Sequence, residues 1–407
     1  MLEIRANRAE SMINPALQPL SDYTFARLNR MLDGIEPAAD MRPIMLSVGE
    51  PQIQPPAFVN EAIAASGHLW NKYPPPKGDP AFRDAVTGWL DRRYGLPTGF
   101  LDPERHVTSI SGTREALYQL GFLAVPEQKN GQQPVILMPN PLYHSYRGAA
   151  MVGRAEPVYM NATPENDFLP KLDDIAPEIL ERTALCFLCT PTNPQGRVAS
   201  LDYLKRAIEL AREYDFMLAV DECYAEIYRG TPPAGGLQAA AALGDSLRNI
   251  VVLHSLSKRS SGPGLRSGFM AGDPELIGRY GEYIMFGSAS TPLPIQHAAT
   301  ALWKDEAHVE ANRTHYAENW RIATQVLGNK KGYHEAEAGF FVCMPADDAE
   351  ALTKQVWREQ AVKIVPVGLM AREDADGVNP GDPYVRIALV YDAETTEEGL
   401  RRIAPYF

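Results

Sequence analysis

The sequence predicts an α/β protein with a mostly parallel central sheet, helices on both faces of that sheet, and a smaller α+β domain. Short apolar strands alternate with amphipathic helical patterns over residues 106–272, which is typical of parallel sheets. Most of these strands are continuous apolar runs, so the sheet is expected to be buried on both faces. Polar clusters directly follow several strands, and such sheets bind ligands at the carboxyl ends of their strands.

Helix and strand patterns divide the chain into three predicted parts. Residues 1–48 are predicted to form an arm and part of the smaller domain, with an amphipathic helix in YTFARLNRMLDGI. Residues 49–291 are predicted to form the larger α/β domain, where Asp79 caps a helix that Pro80 begins. Residues 292–407 are predicted to form the smaller α+β domain, with strands in GFFVCM, VKIVP and YVRIAL. The strands predicted for the larger domain are HVTSI, VILM, PVYM, ALCFLC, FMLAVDE, IVVLHS and GFMAG.

The composition argues against several classes of function. Apolar residues make up 45% of the 407 residues and charged residues 22%, as in ordinary globular proteins. The formal net charge of −12 argues against nucleic acid or an anionic membrane as a partner. No apolar run is long enough to span a membrane, and MLEIRANRAESMINPAL lacks the pattern of a secretory signal. We therefore expect a cytoplasmic protein with small-molecule partners.

Cys186 and Cys189 form a C-x-x-C motif inside the predicted strand ALCFLC. Side chains three residues apart on a strand point to opposite faces, and no second ligand pair lies at the spacing of a zinc site. We therefore expect core thiols in a reducing compartment and no metal site.

A phosphate site is predicted from the segments that follow the strands HVTSI and IVVLHS. The turn SGTREA opens a helix, where backbone N–H groups and hydroxyls can bind an anion, although a simple helix cap is the alternative. Serines and an arginine after IVVLHS are expected at the same edge and would complete a phosphate cup. The donors expected in this cup are Ser111, Gly112, Thr113, Ser255, Ser257 and Arg266.

Three further side chains carry predicted chemistry at this edge. Lys258 lies between hydroxyl groups and beside Arg259, so positive charge and partial burial favour its neutral, nucleophilic amine. Asp221 ends the run FMLAV, where a half-buried carboxylate needs a cationic partner such as a protonated ring nitrogen; a helix cap is the alternative. Asn193 in TPTNPQG can donate to a ring hydroxyl, or serve only a rigid turn.

Taken in order, the clusters SGTREA, PNPLYHSY, TPTNPQG, DECYAEIY and HSLSK resemble the class I/II aminotransferases, which use pyridoxal 5′-phosphate and have fold type I. The resemblance implies that Lys258 binds the cofactor covalently and that Asp221 pairs with its pyridinium nitrogen. Asn193 and Tyr224 are implied to bond the ring oxygen, Tyr143 to stack on the ring, and the phosphate cup to hold the 5′-phosphate. The catalytic residues implied are Lys258, Asp221 and Tyr224.

The same resemblance implies a homodimer with shared active sites. Tyr73 in NKYPPPKGDPAFR is implied to reach the phosphate of the neighbouring subunit's cofactor. Arg386 in YVRIAL is implied to bind the α-carboxylate of the substrate, together with Gly49 in SVGEP and Asn193. A planar guanidinium suits a carboxylate better than a lysine does.

A narrower resemblance is to the proteobacterial succinyldiaminopimelate aminotransferases, carried above all by HSLSKRSSGPGLRSGF. It implies a ping-pong reaction of lysine biosynthesis between glutamate and N-succinyl-2-amino-6-oxopimelate, in which Lys258 moves the proton. A succinylated dicarboxylate also needs a distal cation. Arg259 and Lys77 are predicted for that role ahead of Arg114 and Arg147, which lie in helical patterns where surface ion pairs are equally expected.

Other functions remain open at this point. A broad-specificity aspartate, aromatic or branched-chain aminotransferase would use the same cofactor residues, and so would a pyridoxal-phosphate carbon–sulfur β-lyase. A cofactor-sensing transcription regulator is disfavoured, because the segment ahead of IMLSVGEP is short for a helix-turn-helix and the chain is acidic.

Overall fold

A seven-stranded sheet forms the centre of the larger domain in the computed structural model, which describes residues 23–244 and 246–407. Its strands are β1 (Val107–Ile110), β2 (Val135–Asn140), β3 (Glu156–Asn161), β4 (Thr183–Cys189), β5 (Met217–Asp221), β6 (Ile250–Ser255) and β7 (Gly268–Gly272). They are arranged in the order β1-β7-β6-β5-β4-β2-β3. Strand β7 runs antiparallel to β1 and β6, and the other neighbours are parallel. All seven predicted strands and the mostly parallel sheet are confirmed.

Helices cover both faces of this sheet, as predicted. In chain order the helices up to residue 304 are α1 (Thr24–Met31), α2 (Phe58–Ala65), α3 (Pro80–Tyr94), α4 (Pro103–His106), α5 (Thr113–Leu123), α6 (His144–Val152), α7 (Pro177–Leu180), α8 (Leu201–Glu213), α9 (Gly236–Ala242), α10 (Leu256–Arg259), α11 (Pro274–Gly287) and α12 (Leu293–Lys304). Of these, α1 does not cover the sheet but packs against Leu369 and Met370. Strand residues alternate between two apolar cores, so Leu137 packs with α3 and α8 while Ile136 and Met138 pack with α5 and α6. This alternation explains why the strands are apolar on both sides.

A second, three-stranded antiparallel sheet forms the smaller domain. Its strands β8 (Phe341–Pro345), β9 (Val365–Pro366) and β10 (Tyr384–Ala388) lie in the order β8-β10-β9, and its helices are α13 (Ala307–Leu327), α14 (Ala349–Gln360) and α15 (Ala393–Ile403). Ile44 and Leu46 pack in the same core, so part of the N-terminal region joins this domain. Of the predicted segment 1–48, residues 1–22 lie outside the described residues.

The chain passes from the core of the large domain to the core of the small domain after residue 304, whereas the predicted boundary is residue 292. Leu302 and Trp303 of α12 belong to the core of the large sheet, whereas Tyr316 and Trp320 of α13 belong to the core of the small domain. The junction therefore lies between α12 and α13. The helical pattern continues across it, which is why the sequence did not reveal the change of domain.

Local sequence signals set the ends of the helices that support the site. Asp79 accepts a hydrogen bond from the Ala81 N–H at 2.8 Å and so caps α3 as predicted. Gly95 ends this helix with a φ of 61°, a conformation that glycine adopts at little cost. In the described part of the chain, no helix is both long and apolar enough to cross a membrane.

Candidate active site

The strand ends bring the predicted polar clusters to one edge of the large sheet. Strands β4, β5 and β6 are parallel neighbours, so the segments that follow them leave the sheet side by side. Asp221 is the last residue of β5, and Lys258 lies on α10, a single turn that begins directly after β6. Ser255 caps this turn, because its Oγ accepts a hydrogen bond from the Ser257 N–H at 3.1 Å.

Lys258 presents an amine that is held close to its neutral form. Its Nζ donates to the Gly49 carbonyl oxygen and lies 5.5 Å from the centre of the Phe340 ring. Burial lowers the pKa of Lys258 to about 8, and the guanidinium groups of Arg386 and Arg114 act in the same direction. About a tenth of the amine is therefore unprotonated at pH 7, far more than in an exposed lysine, and this neutral form is the nucleophile and proton acceptor.

Asp221 is a buried carboxylate without a cation beside it. It is 5% exposed and makes no ion pair with any residue that the structure describes. Tyr146 donates its hydroxyl proton to Oδ2 at 3.1 Å, and the Cys223 N–H donates to Oδ1 at 3.2 Å. Burial raises the pKa of Asp221. A protonated ring nitrogen would supply the missing positive charge and stabilise the ionised form.

The predicted phosphate cup brings Arg266 against the start of α5. Its Nη2 donates to the Ser111 carbonyl oxygen at 2.8 Å, and a Cβ on Gly112 would collide with its guanidinium group. Gly112 has a φ of 85°, so the backbone conformation favours glycine here, and a larger residue would also displace the Arg266 guanidinium group. Backbone N–H groups at the start of the eleven-residue α5 and the Arg266 guanidinium together suit a dianion.

All four hydroxyl groups of the predicted cup have protein partners. Thr113 Oγ1 lies 3.0 Å from Cys223 Sγ, and Ser111 Oγ donates to the Ala289 carbonyl oxygen at 2.5 Å. Ser255 Oγ donates to Ser257 Oγ at 2.8 Å. Their role in binding a phosphate remains a prediction.

Arg386 occupies a buried position that suits a carboxylate. Its Nη1 donates to Asn193 Oδ1 at 3.2 Å and its Nη2 to the Ser47 carbonyl oxygen at 2.7 Å. Its guanidinium carbon lies 4.3 Å from the centre of the Phe341 ring. The Nε atom is buried without a hydrogen-bond partner among the described residues, and burial lowers the pKa of Arg386 to about 10. An anionic ligand would offset this desolvation.

Two tyrosines line the remaining walls. Tyr224 lies edge-on to Phe340 and Phe341, with ring centres 5.5 and 5.8 Å away, and burial holds its pKa well above the usual range. It therefore remains a hydrogen-bond donor at all working pH values. Tyr143 precedes α6 and accepts a hydrogen bond from Arg114 Nε at 3.0 Å.

Arg259 and Lys77, the two predicted distal cations, are engaged by the protein itself. The Arg259 side chain is 2% exposed and donates to Glu306 Oε1 at 2.6 Å. Lys77 pairs with Glu104 Oε1 at 2.9 Å. The prediction that Arg259 contacts the substrate is wrong, because its guanidinium group points into the core rather than toward the recess. Tyr73, by contrast, is fully exposed.

Tyr146 is the site residue that sequence reasoning missed. It is completely buried, stacks on Phe187 with ring centres 4.6 Å apart, and bonds Asp221. Its signal in the sequence was the spacing of three residues from Tyr143 at the start of a helix, which places both tyrosines on one face.

The residues at this edge fit pyridoxal phosphate. The start of α5 with Arg266 suits the phosphate, Asp221 lacks a cation, and Lys258 offers an amine that can react with an aldehyde. Among the described residues, no group of three or more His, Cys, Asp or Glu side chains is placed to hold a metal ion. Fold and chemistry together define a pyridoxal-phosphate-dependent transferase of fold type I.

Comparison with known proteins gives the family. The family model for aminotransferase class I and II matches residues 42–403, so the chain belongs to this family and is a pyridoxal-phosphate-dependent aminotransferase. The predicted activity and cofactor are confirmed. A solved structure of an aminotransferase from Neisseria meningitidis Z2491 is 37% identical, with a TM-score of 0.91, covering 97% of this chain and 100% of its own. Aminotransferase AspB from Helicobacter pylori 26695 is 35% identical with a TM-score of 0.86, covering 94% of this chain and 98% of its own.

The curated relatives are named LL-diaminopimelate aminotransferases, whereas the narrower prediction was a succinyldiaminopimelate aminotransferase. The LL-diaminopimelate aminotransferase of Syntrophobacter fumaroxidans is 28% identical over 95% of this chain and 97% of its own length. That of Desulforudis audaxviator is 29% identical over 95% of this chain and 96% of its own. The resemblance to succinyldiaminopimelate aminotransferases in particular remains a prediction.

Proposed function

We propose that this aminotransferase passes an amino group between glutamate and N-succinyl-2-amino-6-oxopimelate in a ping-pong cycle. The observation that carries the proposal is a second guanidinium group at the site. Arg386 and Arg114 both lie close enough to Lys258 to lower its pKa. Two guanidinium groups near one amine suit a substrate with two separated carboxylates. The names of the diaminopimelate aminotransferase relatives support the same substrate class.

Arg114 is better placed than Arg259 or Lys77 to bind the distal carboxylate. Its Nε donates to the Tyr143 hydroxyl, which orients the group over the site. Its two terminal nitrogens make no hydrogen bond to a residue that the structure describes, and the side chain is exposed. A guanidinium group with two free parallel donors can bind a carboxylate through both oxygens.

The chain's own residues divide the work of the reaction. Pyridoxal phosphate, when bound, supplies the ring that withdraws electrons from the substrate carbon. Lys258 would accept the proton from that carbon and return it at the neighbouring position, since its lowered pKa lets it act as base and then acid. Asp221, ordered by Tyr146, would keep the ring nitrogen protonated. Arg386 and Gly49 would fix the α-carboxylate, and Asn193 and Tyr224 the ring oxygen.

A homodimer with shared sites is part of this proposal. Several large apolar side chains are exposed in the single chain: Tyr73 fully, Phe286 by 91% and Trp70 by 57%. Tyr73 and Trp70 lie on one loop between α2 and α3, where a second copy would cover them. Under the proposal, Tyr73 reaches the neighbouring subunit's phosphate cup.

The test is a stopped half-reaction. The purified enzyme is loaded with its amino donor, freed of excess donor, and mixed with candidate oxo acids while the returning cofactor absorbance is followed. We expect N-succinyl-2-amino-6-oxopimelate to react faster than 2-oxoglutarate or oxaloacetate. No faster return with the succinylated substrate would refute the narrow assignment and favour a broad aspartate or aromatic aminotransferase.

Further substrates separate the remaining candidates. Transfer from LL-diaminopimelate without succinylation would favour the activity for which the curated relatives are named. Release of pyruvate and ammonia from cystathionine without an oxo-acid acceptor would indicate a β-lyase.

Matched arginine variants test the distal contact. Arg114→Gln should raise KM for dicarboxylic substrates by about tenfold or more, since a charge-assisted hydrogen bond contributes about 1.5–3 kcal/mol. It should leave alanine as amino donor almost unaffected. Arg105→Gln removes an equally exposed arginine near the opposite, amino-terminal edge of the sheet and should change neither.

A further inference from the structure

The turn that carries Lys258 is anchored from its far side by its neighbour, Arg259. The guanidinium carbon of Arg259 lies between two indole rings, 5.4 Å from the centre of Trp89 and 4.8 Å from that of Trp303. Its Nη1 donates to the Leu302 carbonyl oxygen at 2.8 Å, and its Nη2 to Glu306 Oε1 at 2.6 Å. A buried guanidinium with these contacts has a single orientation, so the helical turn α10 cannot rotate independently of α12 and Glu306.

Helix α13 holds the same turn through residues spaced four apart. His308 Nε2 lies 2.8 Å from Ser260 Oγ, and Asn312 Nδ2 donates to the Arg259 carbonyl oxygen at 2.8 Å. One turn later, Tyr316 stacks on Phe340 with ring centres 5.2 Å apart. The Phe340 ring is the one that faces Lys258 Nζ. Residues i, i+4 and i+8 form one stripe on a helix, so a single face of α13 contacts the end of the α10 turn and also the Phe340 ring.

The first turn of α13 is itself fixed at the domain junction. His308 Nδ1 and the His308 N–H both lie within hydrogen-bond distance of Asp305 Oδ2, at 2.6 and 2.9 Å. The remainder of the helix packs in the core of the smaller domain. The helix therefore connects the small domain, which contains Arg386, to the turn that carries Lys258.

We infer that Arg259, Glu306 and the α13 stripe of His308, Asn312 and Tyr316 form a clamp that positions Lys258 from the domain junction. Arg259 and Glu306 are positioning residues, since neither touches the recess. The inference rests on the proposed role of Lys258 as the lysine that binds the cofactor. It gives a function to the arginine that follows the lysine in HSLSKR.

Substitution of Glu306 tests the clamp with little risk to folding, because its side chain is 47% exposed. In Glu306→Gln the ion pair with Arg259 is lost, while the titratable groups that act on Lys258, namely Arg386, Arg114, Glu50 and the neutral thiol of Cys223, remain. Glu310→Gln is the matched control: it lies four residues further along α13 and pairs only with Arg313 among the described residues. Arg259→Met is the direct variant, and Glu306→Gln decides the question if that protein does not fold.

Two measurements report the position of Lys258 without relying on turnover. The first is the midpoint pH of the absorbance change of bound pyridoxal phosphate in the holoenzyme. The second is the pH dependence of Lys258 acylation by acetic anhydride in the cofactor-free full chain, followed by peptide mass spectrometry against the exposed Lys331. We expect Glu306→Gln to shift both midpoints upward by about half a pH unit, a threefold change in neutral amine at neutral pH, because a loosened turn admits water to the amine. Glu310→Gln should match the wild type.

The clamp is refuted if folded Glu306→Gln and Arg259→Met proteins both keep wild-type midpoints. Partial recovery in Arg259→Lys, which retains the charge but not the planar pair of donors, would support it. Failure of the clamp is distinguishable from failure of the proposed function. Lys258→Ala that retained normal turnover would contradict the function, whereas inactive Lys258→Ala beside unshifted clamp variants would contradict the clamp alone.

Discussion

Burial of Lys258 should make the cofactor-free protein less stable than a version without that amine. Its pKa falls from 10.5 to about 8 in the folded protein. The full shift corresponds to about 3 kcal/mol in favour of unfolding at pH 7. Loss of the hydrogen bond to the Gly49 carbonyl oxygen offsets about 1 kcal/mol of this cost. We therefore expect Lys258→Met to raise the unfolding free energy at pH 7 by about 1–2 kcal/mol.

The sign of the pH dependence follows from proton linkage. Below pH 8, Lys258 is protonated in both the folded and the unfolded chain, so the cost is fully present and constant. Between pH 8 and 10.5 the unfolded chain binds the proton and the folded chain does not, so the wild type gains stability as pH rises. The advantage of Lys258→Met should therefore shrink over this interval and vanish near its upper end.

Urea unfolding of both cofactor-free proteins at fixed concentration, between pH 7 and 10, measures this difference. Lys331→Met, at an exposed lysine, is the control and should change stability by less than about 0.5 kcal/mol at every pH. An advantage of Lys258→Met that is absent at pH 7, or that grows with pH, would refute the assignment of a depressed pKa to Lys258.

Three further substitutions have definite expected outcomes. Asp221→Ala should lower kcat/KM by about 10²–10³, because the ring nitrogen loses its counter-charge. Steady-state kinetics with saturating cofactor measures this loss, and a clearly smaller one would contradict the role of Asp221. Tyr146→Phe leaves the Asp221 carboxylate without its hydroxyl donor, so the cofactor Kd, measured by fluorescence titration, should rise about tenfold. Gly112→Ala should weaken binding of free inorganic phosphate and of cofactor together, by about tenfold or more, since a Cβ meets Arg266 at a positive φ; unchanged phosphate affinity would contradict the cup.

The strand pattern of the sequence was sufficient for the large sheet and for the edge where the chemistry lies. Asp221, Lys258 and the SGTREA turn each follow a continuous apolar strand, and parallel strands necessarily bring their carboxyl ends together. The fold, and the edge of the sheet at which the cofactor residues are predicted, could therefore be inferred without a structure. The strand pattern does not show in which direction a side chain points when it lies on a short turn after a strand.

Arg259 shows why the residue that binds the distal carboxylate could not be predicted from the strand pattern. It follows Lys258 directly, but successive residues on a helical turn point about 100° apart, so adjacency in sequence places them on different faces. The indole rings that receive Arg259 come from Trp89 and Trp303, far from it and from each other along the chain. Arg114 was ranked lower because its helical pattern suggested a surface ion pair. Only the packing shows that its partner is the Tyr143 hydroxyl rather than a carboxylate on the helix surface.

The opposite pKa shifts of Lys258 and Asp221 have one main cause, which is burial. Burial raises the pKa of Asp221 and lowers that of Lys258, so each group is pushed toward its neutral form. Neither can relieve the other by pairing, because Lys258 donates to Gly49 and Asp221 accepts from Tyr146. A ligand with a protonated ring nitrogen and a carbonyl group relieves both costs at once, one as an ion pair and one by reaction with the amine. Binding of pyridoxal phosphate should therefore stabilise this protein by more than its phosphate contacts alone provide, and pyridoxine 5′-phosphate, which keeps the ring and the phosphate but lacks the aldehyde, should recover only the share that belongs to Asp221 and the cup.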